Sequence, residues 1–258
     1  MEQFGICRLA LTPLRDQPSD RSEMISQLLF GEHYRVMATS DNGTWLQVVS
    51  NFDQYQGWID HKQHHSISEA YFQEINRSNY QITTDVSAEA TMNGEQLHLA
   101  MGSVLPMVAG ELFSSTGLLK FHGNSKSLSK KLDFAEMHVM ALKYLNAPYL
   151  WGGRSPWGID CSGFVQQVFR IAGYALPRDS VQQVHCGSLV DRVKQAQAGD
   201  LAFFASASGK IDHVGIILGD NRIIHASGKV RIDELREEGI WDGQQITHHM
   251  KFVRRVLK

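Results

Sequence analysis

One cysteine and two histidines carry the chemistry that can be read from this chain. Cys161 lies in Asp160-Cys161-Ser162-Gly163-Phe164, after Tyr149-Leu150-Trp151-Gly152-Gly153 and before Asp212-His213-Val214-Gly215 and His225. A thiolate attacks a carbonyl carbon, and a neighbouring imidazole moves the proton that the attack and the leaving group exchange. A second imidazole can fix the tautomer and orientation of the first, the part a carboxylate or amide plays in other triads. Cys161 as nucleophile, His213 as general base and His225 as its orienting partner make a cysteine hydrolase. The same groups would serve proteolysis, amidase chemistry, acyl transfer or thioester exchange, and the three residues do not choose among these.

The elements around them fit that chemistry. Cys161, Phe164, Val165, Val168, Phe169 and Ala172 repeat at helical spacing, with Asp160 placed to cap the N terminus and Gly173 to end the run. Cys161 then sits in the first turn, where free N–H groups and the helix dipole favour a thiolate. Glycines at 152, 153, 158 and 163 allow backbone close to the sulfur. Asp212 to Leu218 and Arg222 to Ala226 read as strands joined at Gly219-Asp220-Asn221, so they pair antiparallel and bring His213 beside His225. Phe134 to Leu145 reads as a preceding helix, with His138 as packing, and Ser180 to Val184 as a short helix after Pro177-Arg178-Asp179. Gly199 to Phe204 and Lys251 to Val256 read as the first and last strands of the sheet, giving an α+β core.

Each residue also has a plainer reading. A single cysteine on an apolar helix face is ordinarily a small buried hydrophobe. The joint occurrence of capped cysteine, glycine-rich approach and two strand histidines favours chemistry. His61-Lys62-Gln63-His64-His65 and His248-His249 read as exposed connections, since no cysteine or carboxylate completes a metal-ligand spacing. No metal and no cofactor is expected.

These motifs resemble the NlpC-type (NlpC/p60) bacterial cell-wall cysteine peptidases, from about residue 130 to the C terminus. The resemblance implies a papain-like catalytic domain with Cys161, His213 and His225 in the roles above. It also implies that the Tyr149 hydroxyl helps the Cys161 amide stabilise the oxyanion. The substrate class it implies is murein-derived peptide, cut between γ-D-glutamate and the diamino acid. Relatives with SH3-like barrels ahead of the peptidase take stem peptides with a free N-terminal L-alanine, release L-Ala-γ-D-Glu and serve murein recycling. In their pattern Asp179, with Glu32 and Tyr55 of the first barrel, would meet the free amine. Ser162 and Ser180 would bond the γ-D-glutamyl part, and Asp160 would line the same end of the cleft. Asp160 and Asp179 also read as helix N-caps, and both roles can coexist. The rival class is a cell-wall peptide-binding module with an inactive peptidase domain. The intact Tyr149, Cys161, His213 and His225 speak against it.

The rest of the chain sets the frame. Its 258 residues can hold one large or two to three small domains. Short alternating runs from Cys7 to Ile67, divided by turns such as Asp41-Asn42-Gly43, resemble an SH3-like barrel over residues 1–70. A second, divergent barrel is expected over 71–125, with Asn93-Gly94 as a hairpin turn, and the peptidase over 126–258. The fold class is thus α+β, a papain-like domain preceded by one or two SH3-like barrels. A net charge of −2 leaves no basic footprint for nucleic acid, and no apolar run is long enough to span a membrane. Three scattered cysteines, Cys7, Cys161 and Cys186, argue against a disulfide framework. No secretory signal is visible in the first residues, so the expectation is a cytoplasmic monomer.

Overall fold

A computed structural model describes residues 3–106, 119–191 and 193–257. The chain divides into two compact units, residues 1–131 with 151–157, and residues 132–150 with 158–258.

The first unit opens with strands β1 (Gln3–Ile6), β2 (Leu11–Arg15), β3 (Met24–Leu29), β4 (His33–Thr39), β5 (Trp45–Ser50), β6 (Gln56–Asp60) and β7 (Ser66–Ile67). They form one antiparallel sheet in the order β3-β2-β6-β5-β4-β1-β7, an SH3-like domain. Alternation turns Leu14, Leu28, Tyr34, Leu46, Val48 and Ile59 into a common core. Helix α1 (Glu69–Arg77) follows, its N terminus capped by Ser68, whose hydroxyl accepts the Tyr71 N–H. Strands β8 (Tyr80–Thr83), β9 (Ser87–Met92), β10 (Glu95–Ala100), β11 (Val104–Pro106), β12 (Lys120–His122) and β13 (Ser125–Ser127) make two three-stranded sheets, β10-β9-β12 and β11-β8-β13. The β9–β10 hairpin turns at Asn93-Gly94, both at positive φ. Part of the second expected barrel, residues 107–118, lies outside the described residues. One apolar cluster joins Phe4, Phe30 and Ile67 to Phe72 and Ile75 of α1 and to Ala90 and Leu99, so the two N-terminal segments share a core. The segment 151–157, with β14 (Arg154–Ser155), belongs to this unit as well.

The second unit contains α2 (Phe134–Leu142), β15 (Gly158–Ile159), α3 (Cys161–Ile171), α4 (Ser180–Gln183), β16 (Ser188–Leu189), β17 (Leu201–Ala205), β18 (Ile211–Gly219), β19 (Arg222–Ser227), β20 (Lys229–Leu235), β21 (Gly239–Trp241) and β22 (Ile246–Arg255). Its sheet runs β16-β22-β17-β18-β19-β20-β21, and β21 also pairs with β22, so six strands close on themselves. Phe204, Ile217, Ile223, Leu235, Ile240 and Val253 form one core cluster of this sheet. Helix α3 packs on β18 and β19, with every residue from Cys161 to Ile171 buried. This is the papain-like mixture of helix and closed sheet.

Candidate active site

Asp160 starts α3 as the sequence requires, its carboxylate accepting the Gly163 N–H at 2.7 Å from an extended backbone. Gly173 follows the helix at φ +86°. Cys161 is therefore the first helical residue, and its own N–H has no partner within the helix. Its thiol is directed at the Asp212 carbonyl, 3.9 Å away, and the Val214 backbone on the other side of His213 favours its anion. The sulfur thus lies against β18 on both sides of His213.

The β18–β19 hairpin brings the histidines together. Asp220 and Asn221 adopt positive φ of 49° and 54°, the primed turn that matches strand twist. Gly215 then faces His225 directly, and His213 reaches His225 one diagonal step away on the same face. No side chain fits between: a Cβ on Gly215 would lie 2.9 Å from the His225 Cβ and 2.8 Å from the Ile223 Cδ1. His213 Nε2 and His225 Nδ1 are 2.8 Å apart, both rings buried. The β19–β20 register repeats the step. Arg231 faces His225, and Asp233, two residues further on, places Oδ2 2.9 Å from His225 Nε2.

Electrostatics correct one expectation. The helix N terminus favours a Cys161 thiolate, but burial pushes the thiol up to about 12, and the nearby Asp160 anion adds to this. A helix terminus contributes at most about 2 kcal/mol. A rise of this size from 9.0 corresponds to roughly 4 kcal/mol, so desolvation outweighs the dipole. His213 moves the other way: burial first, then its neighbours His248 and His225, lower its pKa well below that of a free histidine. At neutral pH Cys161 rests as a thiol and His213 as a neutral imidazole. Tyr149 is pushed up to about 12, by burial and then by the neighbouring Cys161 and Asp160 groups, so its hydroxyl stays protonated at neutral pH. Tyr149, Asp212, His213 and His248 line one cleft of about 280 Å³, together with residues 226–228.

The profile of the NlpC/P60 family matches residues 146–250, and that of the bacterial dipeptidyl-peptidase SH3 domain matches residues 14–63. A protein of Bacillus subtilis named gamma-D-glutamyl-L-lysine dipeptidyl-peptidase is 32% identical over 222 residues, covering 78% of this chain and 71% of that one. The chain belongs to the NlpC/P60 family. A Bacillus cereus protein of the same name is 27% identical over 244 residues, covering 84% of this chain and 71% of its own. The crystal structure of an NlpC/P60 family protein from Bacillus cereus shares the fold over 99% of this chain and 100% of that one, at TM-score 0.80 and 21% identity. As an NlpC/P60 member this chain is a cysteine peptidase of the class that acts on cell-wall peptidoglycan. No helix among its described residues is long and apolar enough to cross a membrane.

Asp160 and Ser162 come together around Arg178, a buried residue that the sequence reading passed over. The Arg178 guanidinium bonds both Asp160 oxygens and donates to the Ser162 hydroxyl at 2.8 Å. Asp179 is half-buried at the N-cap of α4, where its N–H donates to Gln182, and Ser180 is buried in the first turn. Glu32 and Tyr55 lie in the first unit. The Glu32 carboxylate is not left open as a lone anion for an ammonium. It accepts two hydrogen bonds of 2.9 Å from Arg154 and one from the Leu29 N–H, with both members of the pair 1% exposed. Tyr55 packs half-buried against the barrel core. Two histidine segments read as exposed connections are corrected. His248 lies in β22, half-buried and stacked on His213, ring centres 4.0 Å apart and planes 26° apart, because closure of the sheet brings β22 round to β18's neighbour β17. His64 bonds the Tyr34 hydroxyl at 3.1 Å and is lowered to about 4, first by burial. Among the described residues no group of histidine, cysteine and carboxylates could hold a metal ion.

Proposed function

We propose that this peptidase hydrolyses the bond between γ-D-glutamate and the L-diamino acid of peptidoglycan stem peptides with a free N-terminal L-alanine, releasing L-Ala-γ-D-Glu in murein recycling. The observation that carries the reaction is the placement of the Cys161 sulfur against the backbone flanking a buried, neutral His213. In this reading the sulfur attacks the γ-glutamyl carbonyl carbon as its proton passes to the free ring nitrogen of His213. His213 then gives that proton to the departing diamino-acid amine. Water, deprotonated by His213, cleaves the thioester. The Cys161 N–H and the Tyr149 hydroxyl are the proposed oxyanion donors, and Tyr149 suits the role because it remains protonated.

The choice of bond rests on the names of the two Bacillus relatives and on the dipeptidyl-peptidase SH3 match. Asp179 is the anion proposed for the alanine ammonium, since a buried ammonium without a partner costs several kcal/mol. Asp160, Ser162 and Ser180 are proposed to bound the γ-D-glutamyl portion, with Arg178 holding the first two. For Glu32 and Tyr55 a substrate role rests on the resemblance of their segments to the family's SH3-like motifs. Digestion of defined stem peptides, free and acetylated at the alanine, followed by mass analysis of the fragments, tests the proposal. Acetylation is expected to lower kcat/KM by at least about tenfold; equal turnover of the two peptides overturns the free-amine requirement.

A further inference from the structure

The line of polar groups that starts at His213 does not stop at His225. Its register continues by the same diagonal step from β19 to β20, where the Asp233 carboxylate lies 2.9 Å from His225 Nε2 and 2.7 Å from the Arg231 guanidinium. The Asp233 side chain is only 9% exposed, while Arg231, at 38%, reaches it from the solvent side. Burial works against the Asp233 anion, yet the bonds from His225 and Arg231 hold its pKa below the usual carboxylate value. An ionised carboxylate can only accept, so His225 Nε2 carries the proton of that bond. If His225 is a neutral imidazole, its other nitrogen, Nδ1, is then an acceptor, and the neutral His213 donates to it from Nε2. One ring nitrogen of His213 is left without a proton: Nδ1.

We propose that Asp233 is a positioning residue that sets the tautomers of both imidazoles, so that Nδ1 of His213 is the atom that receives the Cys161 proton. The inference deepens the proposed reaction and rests on His213 as its base. Arg231 has a share in the device, because it holds one Asp233 oxygen and turns the other toward His225. Replacing the carboxylate with an amide exposes this. In Asp233→Asn the Arg231 guanidinium retains the amide oxygen, and the amide NH2 faces His225 Nε2. His225 must then accept at Nε2 and donate from Nδ1. His213 accepts at Nε2, keeps its proton on Nδ1 and has no free nitrogen for the thiol.

The test has two arms. Imidazole 15N NMR of the substrate-free wild type should show both His213 and His225 as neutral Nε2–H tautomers. This spectrum needs neither a variant nor turnover, so it separates failure of this inference from failure of the proposed substrate. A Nδ1–H tautomer at either ring, or a cationic His225, would overturn the inference. In the kinetic arm, Asp233→Asn should lower kcat by at least about tenfold with KM nearly unchanged. Adding Arg231→Ala frees the amide to rotate its oxygen toward His225. The double variant should therefore recover to within about threefold of Arg231→Ala alone. A merely structural Asp233 would show no such rescue, and unchanged kcat in Asp233→Asn would refute its role.

Discussion

Gly215 is the position where one methyl group should damage the site most, and the size of the effect can be worked out. An added Cβ would lie 2.9 Å from the His225 Cβ, 2.8 Å from the Ile223 Cδ1 and 2.9 Å from its Cγ1. Carbon atoms pack at about 3.5–4.0 Å, so His225 must retreat by roughly 0.6 Å. That retreat lengthens a 2.8 Å bond between His213 and His225. The stretched bond would be about 3.4 Å, beyond the ordinary range for N–H donors. Misplacement by about 1 Å near reacting groups costs on the order of a hundredfold, so Gly215→Ala should lower kcat by about ten- to a hundredfold. Overpacking should also cost about 1–3 kcal/mol of stability. Steady-state cleavage of a defined stem tripeptide, with thermal melting in parallel, reads both quantities. Ile223→Val removes the Cδ1 clash but leaves the His225 contact. The double variant should therefore regain stability without regaining kcat. If Gly215→Ala kept kcat within about twofold of wild type, the diagonal His213–His225 geometry would not limit the reaction.

Other expectations follow from charge and burial. His213 must be neutral to act as base, and its folded pKa is depressed. Activity is therefore present above that pKa and lost as pH falls through it, and the acid limb of kcat/KM should lie below about 6.5. His248→Ala opens the ring to solvent and should move that limb up toward 6.5, and an unmoved limb would separate His248 from the ionisation of His213. With its thiol near 12 instead of 9.0, Cys161 in the substrate-free protein should be alkylated about a thousandfold more slowly than an ordinary thiol at pH 8, after the half-buried Cys186. Peptide mapping of alkylated cysteines checks this, and preferential labelling of Cys161 would mean that burial does not control the resting thiol. Arg154→Met strands the Glu32 carboxylate and should cost about 3–5 kcal/mol in denaturant unfolding. Glu32→Gln added to it should recover most of that loss, whereas additive losses would show that the pair is not coupled.

The parts of this molecule that were legible in the sequence are those set by local rules. The α3 helix could be read because its apolar residues repeat at helical spacing between Asp160 and Gly173. The β18–β19 hairpin could be read because Asp220 and Asn221 tolerate positive φ. Helix α1 was missed: it is nine residues long, and only Tyr71, Phe72 and Ile75 are buried. Asp233 and His248 were missed because their places depend on register across β20 and on closure of β22, neither of which leaves a periodic signal. Arg178 and Arg154 could be suspected only from their partners, and a charged residue in a loop ordinarily faces solvent. The ionisation of Cys161 is not legible for a similar reason. A helix terminus is visible in sequence, whereas the depth at which it is buried is not.

Acid quenching during turnover of an L-Ala-γ-D-Glu-L-Lys peptide, followed by mapping of the enzyme's own fragments, tests the attack on the carbonyl most directly. A thioester of L-Ala-γ-D-Glu on the fragment that carries Cys161, absent from Cys161→Ala, is the predicted result. Continued cleavage by Cys161→Ala, or an acyl group found on any other residue, would contradict it.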